Sequence, residues 1–227
     1  MLTMYNEIMQ EFGVALALDI FPKDLWTVIK ESEGMCTRLR IHVVKQMLKA
    51  VQECHANGII HRDISPYNFL VNHDTNVVLA DFGVSIQTTE CNNRTPGMGT
   101  LWYMAPEILF GARQYTCASD VWSLGCVIAE VILQKPLWNG SSQLDQICKI
   151  IDDLGTPTEE IWSGLSALPD WGKLQFPPKD PKDWHDILPD SPSTDVLVDI
   201  VQGMLVYDPS KRLSLQQCID TIDMYVT

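Results

Sequence analysis

Positive charge is scarce in this chain: 16 lysines and arginines stand against 29 aspartates and glutamates, a formal net charge of -13 over 227 residues. A surface of that sign opposes a sequence-independent grip on nucleic-acid phosphates or anionic lipid, so neither a nucleic acid nor a membrane is expected as a partner. Long apolar runs are absent as well. No stretch approaches the ~20 residues that cross a bilayer. The opening MLTMYNEIMQEF has no basic segment leading into an apolar core and a small-residue cleavage site. Both absences predict a soluble, unsecreted, intracellular protein, in the nucleus or the cytoplasm. Cysteines with metal or redox spacing are also lacking. The seven cysteines (36, 54, 91, 117, 126, 148 and 218) form no Cys-x-x-Cys pair and read as reduced, mostly buried thiols. No internal repeat, low-complexity tract or interdomain linker interrupts the chain. What remains, 46% hydrophobic and 20% charged, can bury a sizeable core in one domain or one and a half.

Apolar periodicity places the elements. GVALALDI, residues 13–20, reads as one strand, broken by Phe21-Pro22 before an amphipathic helical stretch over 24–30. Leu39, Val43, Met47, Leu48 and Val51 repeat at helical spacing within 38–57, and Asn57-Gly58 is a C-terminal stop signal. Residues 69–71 and 77–80, flanking Asn72-His73-Asp74-Thr75-Asn76, predict a small hairpin. Residues 86–99 are polar and aperiodic, which predicts a mobile loop, whereas 117–133 is helical and nearly all apolar. A helix over 144–154 precedes a stretch over 156–193 with seven prolines and three of the seven tryptophans, an irregular but packed insertion. Helices over 194–206 and 215–225 close the chain.

Three short motifs follow one another in a fixed order. His61-Arg62-Asp63 with Asn68 gives H-R-D-x-x-x-x-N, Asp81-Phe82-Gly83 lies beyond the hairpin, and Ala105-Pro106-Glu107 closes the set. A single tripeptide of this kind is a charged turn as readily as a site; the ordered series resembles the signature of eukaryotic protein kinases. Leu144 to Trp162, then Phe176-Pro177-Pro178 and YDPSKRLS, are similar to the cyclin-dependent kinases within that group.

The resemblance covers the chain from about Gly13 to its end and carries expectations with it. The implied fold is mainly α: a kinase C-terminal lobe, a helical bundle with a small β-hairpin, over 21–227. A remnant strand and hinge of the N-terminal lobe would occupy 1–20. The activation segment would run over 81–107 and the group's insert over about 156–193. Phosphoryl transfer needs a group that orients the attacking hydroxyl and a divalent cation that neutralises charge on the phosphoryl oxygens. Asp63 would be the proton acceptor, with Asn68 and Asp81 as hard-oxygen ligands for Mg2+ and ATP as co-substrate. Leu18, Asp19, Phe21 and Leu70 would line the adenine pocket, Leu18 as gatekeeper and Leu70 as floor. Thr95 would be the activating phosphosite and Arg62 its basic partner. Asp120 would brace the HRD turn through backbone hydrogen bonds, and Glu107 with Arg212 would form a buried ion pair.

The sequence departs from the family at several points. A G-x-G-x-x-G loop, a V-A-I-K lysine and the acidic helix that would pair with it are missing before Gly13. Ser65 stands where serine/threonine kinases carry a lysine, Ile86 where cyclin-dependent kinases carry an arginine, and Met104 replaces the arginine of W-Y-R-A-P-E. Two functions are therefore expected to compete. One is an ATP-dependent serine/threonine kinase of the cyclin-dependent type, acting in cell-cycle or transcription control with protein substrates and a cyclin-like partner. The other is an impaired pseudokinase serving as a protein-binding platform.

Overall fold

The computed structural model describes residues 4–10, 13–31, 35–90, 99–188 and 195–226. Thr95 and Cys91 lie outside these residues. Helices dominate, and the strands are short.

The chain starts with an antiparallel pair, β1 (Met4–Gln10) and β2 (Gly13–Leu18), in which Gln10 faces Gly13 and Met4 faces Leu18. Only the second of these strands is legible in the sequence. A two-residue strand, β3 (Lys23–Asp24), then runs directly into α1 (Leu25–Glu31). Asp24 starts this helix, its Oδ1 accepting the Thr27 amide at 2.7 Å in place of the backbone acceptor the first turn lacks. The long α2 (Thr37–Ala56) buries Val43, Val44, Met47, Leu48 and Val51 along one stripe and ends at Asn57, with Gly58 at a φ of 72°.

The catalytic-type motifs hang on small strands after α2. β4 (Ile59–Ile60) precedes His61, β5 (Phe69–Val71) follows Asn68, and β6 (Val77–Leu79) leads into Asp81. β5 is the central strand between β3 and β6, all antiparallel, with Leu70 opposite both Asp24 and Val78. The expected mobile loop is corrected at its start: β7 (Ile86–Gln87) pairs with β4, Ile86 facing Ile60, and a 3-10 turn spans Thr88–Glu90. Pairing across 26 positions leaves no local periodicity to detect, so a two-residue strand of this kind reads as loop.

Below the motifs, a 3-10 turn at Leu101–Tyr103 and the one-turn α3 (Pro106–Leu109) lead to α4 (Cys117–Leu133). Thirteen of the seventeen residues of α4 are buried, so this helix is the axis of the core rather than an amphipathic surface helix. Trp122 is fully buried and stacks on Trp138 at 5.7 Å between ring centroids. Where α4 crosses a later helix, a Cβ on Gly125 would come within 2.9 Å of Leu205 Cδ2, so only glycine fits without displacing that leucine. α5 (Gln143–Leu154) is capped by Ser142, whose Oγ accepts the Asp145 amide at 3.2 Å. The proline-rich stretch contains a 3-10 turn at Leu165–Ala167 and the short α6 (Trp184–Ile187), and its Trp162, Trp171 and Phe176 gather around Phe110. α7 (Asp195–Met204) packs on α4, and α8 (Leu215–Val226) on α2.

Burial corrects one further expectation. Of the six cysteines described, Cys54, Cys126 and Cys218 are buried, Cys117 and Cys148 are half-buried, and Cys36 is exposed, so the thiols are not mostly buried. Cys36 is the residue just before the first turn of α2.

Candidate active site

The site is assembled around one buried carboxylate. Asp120, 1% exposed near the start of α4, accepts the His61 amide at 2.8 Å on Oδ2 and the Arg62 amide at 2.9 Å on Oδ1. These bonds hold Arg62 at a φ of 68°, a left-handed conformation that a residue with a Cβ keeps only when its surroundings enforce it. His55 of α2 adds a third contact, with Nε2 2.8 Å from Asp120 Oδ2. Burial alone would lower the His55 pKa, but hydrogen bonds to Asp120 and Cys117 and the charge near them raise it to about 9. The imidazole is therefore cationic at neutral pH and balances the buried carboxylate. His61, fully buried, contacts the Ala80 carbonyl through Nε2 at 2.9 Å and meets the edge of the Phe82 ring at 4.9 Å.

Asp63 follows this braced turn and is itself held from two sides. The Thr100 amide and hydroxyl both donate to its Oδ1 at 2.9 Å, while Asn68 Nδ2 donates to Oδ2 at 3.1 Å and to the Asp63 carbonyl at 2.7 Å. Because the amide nitrogen of Asn68 is committed to Asp63, its side-chain carbonyl oxygen is left over, and no donor takes it among the described residues. Asp81 stands at the end of the hairpin with a φ of 58°; its Oδ1 accepts the Gly83 amide at 3.2 Å and the residue is exposed. Two protein oxygens, one carboxylate and one amide, suit a hard cation that keeps waters and phosphate oxygens as its other ligands. No cluster of three or more acidic, histidine or cysteine side chains able to cage a metal occurs among the described residues.

Glu107 and Arg212 meet as a two-pronged pair, with Nη1 to Oε1 at 2.9 Å and Nη2 to Oε2 at 2.7 Å. Arg212 also donates to the carbonyls of Ala118, Val206 and Tyr207, and Ser119 Oγ donates to Glu107 Oε1 at 3.0 Å, so both charges are fully partnered.

The remaining sequence-selected residues are more scattered. Leu18 ends β2 and is 46% exposed, Asp19 and Phe21 follow it half-buried, and Leu70 lies half-buried on β5, in a different sheet. Arg62 donates through Nε to the Val84 carbonyl, and its guanidinium lies 5.4 Å from the Tyr115 ring centroid. Ser65 is buried, at 1% exposure. Sequence reasoning missed His55 and the anchoring role of Thr100. His55 is 65 positions from Asp120 and Thr100 is 37 from Asp63, and neither contact leaves a local trace in the sequence.

A helical core whose central helix braces an H-R-D turn, with an asparagine and a D-F-G aspartate beside it, is the architecture of a kinase catalytic lobe. The profile of the protein kinase domain matches residues 1–222, and the chain belongs to that family. Within it, the chain is similar to cyclin-dependent kinase 20. It is 35% identical to the Homo sapiens protein over 211 residues and 34% identical to the Mus musculus protein over the same length. Each alignment takes in 91% of this chain and 60% of the relative, so the chain spans about 60% of the length of the curated relatives it matches. The chain is thus a cyclin-dependent-kinase-like member of the protein kinase family. Among the described residues, no helix is long and apolar enough to cross a membrane.

Proposed function

We propose that this chain transfers the terminal phosphoryl group of ATP to serine or threonine hydroxyls of protein substrates. The observation that carries the reading is the bonding of Asp63, whose Oδ1 takes two donors from Thr100 and whose Oδ2 takes one among the described residues, Asn68 Nδ2 at 3.1 Å. Oδ2 therefore has capacity to accept the proton of an incoming hydroxyl, at a position fixed by Asn68, Thr100 and the Asp120 brace. Asn68 Oδ1 and Asp81 would hold Mg2+, which supplies charge neutralisation on the phosphoryl oxygens when bound. Leu18, Asp19, Phe21 and Leu70 would contact adenine, a phosphate on Thr95 would act through Arg62, and a cyclin-like partner would complete the assembly. The segments 1–20, 21–227, 81–107 and about 156–193 would serve as hinge remnant, catalytic lobe, activation segment and insert. A role in cell-cycle or transcription control would go with this reading, and the similarity to a cyclin-dependent kinase supports it.

Buried Ser65 favours a second reading, a protein-binding platform with impaired catalysis. A hydroxyl there cannot supply the cation the family places beside the transferred phosphate. Transfer of labelled phosphate from ATP to serine and threonine peptides, run with the chain and with Asp63→Asn, separates the two. Incorporation that drops at least ~100-fold in the variant supports the kinase. Equal background in both proteins, with partner capture retained, supports the platform.

A further inference from the structure

Positive charge is not spread evenly through this acidic molecule. Residues 34–52 hold Arg38, Arg40, Lys45 and Lys49 and no aspartate or glutamate, which leaves twelve basic against 29 acidic residues elsewhere in the chain. Arg38, His42, Lys45 and Lys49 follow one another on α2 at intervals of four, three and four, so at about 3.6 residues per turn they share one face within about 60° of arc. That face is turned away from the buried stripe of Val44, Leu48 and Val51; Arg38, His42 and Lys49 are exposed and Lys45 is half-buried.

Two features set this face apart from an ordinary solvated one. Solvated helix faces commonly mix charges of both signs, whereas Lys45 and Lys49 repel each other at i,i+4 with no acid between them. Arg38 lies in the first turn of α2, at the positive end of the helix dipole, and no acidic residue in that turn offsets it. Of the four, only Lys45 is paired, with Asp223 of α8; no hydrogen bond or ion pair holds Arg38, His42 or Lys49 among the described residues. Burial of the opposite face therefore holds like charges side by side, and an anion laid along them would relieve both costs.

The surroundings select the shape of that anion. Glu53 ends the stripe one turn after Lys49, Asp223 borders it at Lys45, and Asp74 stands in the hairpin turn whose Thr75 carbonyl accepts Gln46 Nε2 at 3.0 Å. A bilayer or a nucleic-acid duplex would press its own charge on these carboxylates as well. A single extended chain can follow the stripe between them. Arg38 to Lys49 spans about 16 Å along the helix axis, the length of about five residues of extended peptide.

We propose that this face of α2 is a docking surface for an acidic segment of a partner protein, about five residues long and rich in aspartate or glutamate. None of the four side chains bonds to Asp63, Asn68 or Asp81, so the surface is independent of phosphotransfer.

Fluorescein-labelled hexaglutamate and hexaglutamine peptides, titrated with the chain and followed by polarisation, test it. Exposed ion pairs are individually weak but add along the stripe, so hexaglutamate is expected to bind at least ~10-fold more tightly at low salt. The difference should vanish near 1 M salt, where the screening length is about 3 Å. Arg38→Glu with Lys49→Glu removes it. Lys135→Glu with Lys173→Glu, the same change of net charge at exposed positions elsewhere, keeps it. Arg38→Gln with Lys49→Gln, which adds no repulsion, weakens hexaglutamate about 3-fold or more and decides the matter if the reversed variant does not fold. Equal binding of the two peptides, or equal losses in the two reversed variants, overturns the acidic-peptide surface. Tighter binding to phosphatidylserine vesicles or single-stranded DNA that is lost with the stripe overturns it too. So does self-association of the chain at low salt that Arg38→Glu with Lys49→Glu abolishes, because a second copy would then be the occupant.

Discussion

Thr100 donates twice to one oxygen of Asp63, from its backbone amide and from its hydroxyl, each at 2.9 Å. The residue that begins the turn at Leu101–Tyr103 thereby fixes the carboxylate that would accept the substrate proton. Thr100→Val keeps the shape and the amide donor and removes the hydroxyl. Because one such donor is worth about 1 kcal/mol, phosphate transfer is expected to fall about 5- to 10-fold, with the melting temperature lower by only about 2–4 °C. Steady-state kinetics beside a thermal melt checks both parts.

Gly99, just before it, has a φ of 106°, and a Cβ placed there would lie 2.6 Å from the Arg62 carbonyl oxygen. Gly99→Ala is expected to cost roughly 2–3 kcal/mol, because the strained φ and the backbone clash add. Gly164, also at positive φ but with nothing within 4 Å of a built Cβ, supplies the comparison, since Gly164→Ala meets only the first penalty. Urea unfolding of the two variants should rank them in that order.

The pair Glu107 and Arg212 joins α3 to the turn before α8 with both charges nearly removed from water. Glu107→Gln leaves a buried guanidinium short of its counter-charge, at an expected cost of about 3–5 kcal/mol. Replacing both together, Glu107→Met with Arg212→Leu, strands neither charge and should cost less than the two single losses added. A double-mutant cycle by chemical denaturation measures this, and strict additivity would mean that the pair contributes no coupling.

His55 sets a pH window. Its folded pKa of about 9 lies above the ordinary value of 6.5, so the folded chain binds a proton that the unfolded chain releases first. The stabilisation is complete below about pH 6.5 and is lost as pH rises through about 9. The chain should therefore unfold at lower urea near pH 9.5 than near pH 6.5, and His55→Gln should remove most of that difference. A fall of the same size in the variant would assign it to other groups, among them the Cys54 thiol, which burial pushes up to about 12.

The sequence showed the long elements and the order of the motifs because these signals are local. The stripe of Val43, Met47, Leu48 and Val51 announces α2, and the apolar run after Cys117 announces α4. β1 was not legible: MYNEIMQ lacks a run of β-branched or aromatic residues, and its strand character comes from pairing with β2. α6 was hidden by the prolines around it. In the site, Asp63, Asn68 and Asp81 stood out through their spacing. His55 and Thr100, and the stacking of Tyr67 on Trp26, depend on tertiary approach and had no comparable signal.

The central claim is that Asp81 and Asn68 serve a magnesium-bound nucleotide, and a thermal melt of the chain with ATP and Mg2+, beside Asp81→Ala, tests it most directly. At a ligand concentration ~100 times Kd, binding adds about 2.7 kcal/mol. For a chain of this size that should raise Tm on the order of 5–10 °C. The account predicts that rise in the unaltered chain and its loss in Asp81→Ala; no rise in either protein, or the same rise in both, would contradict it.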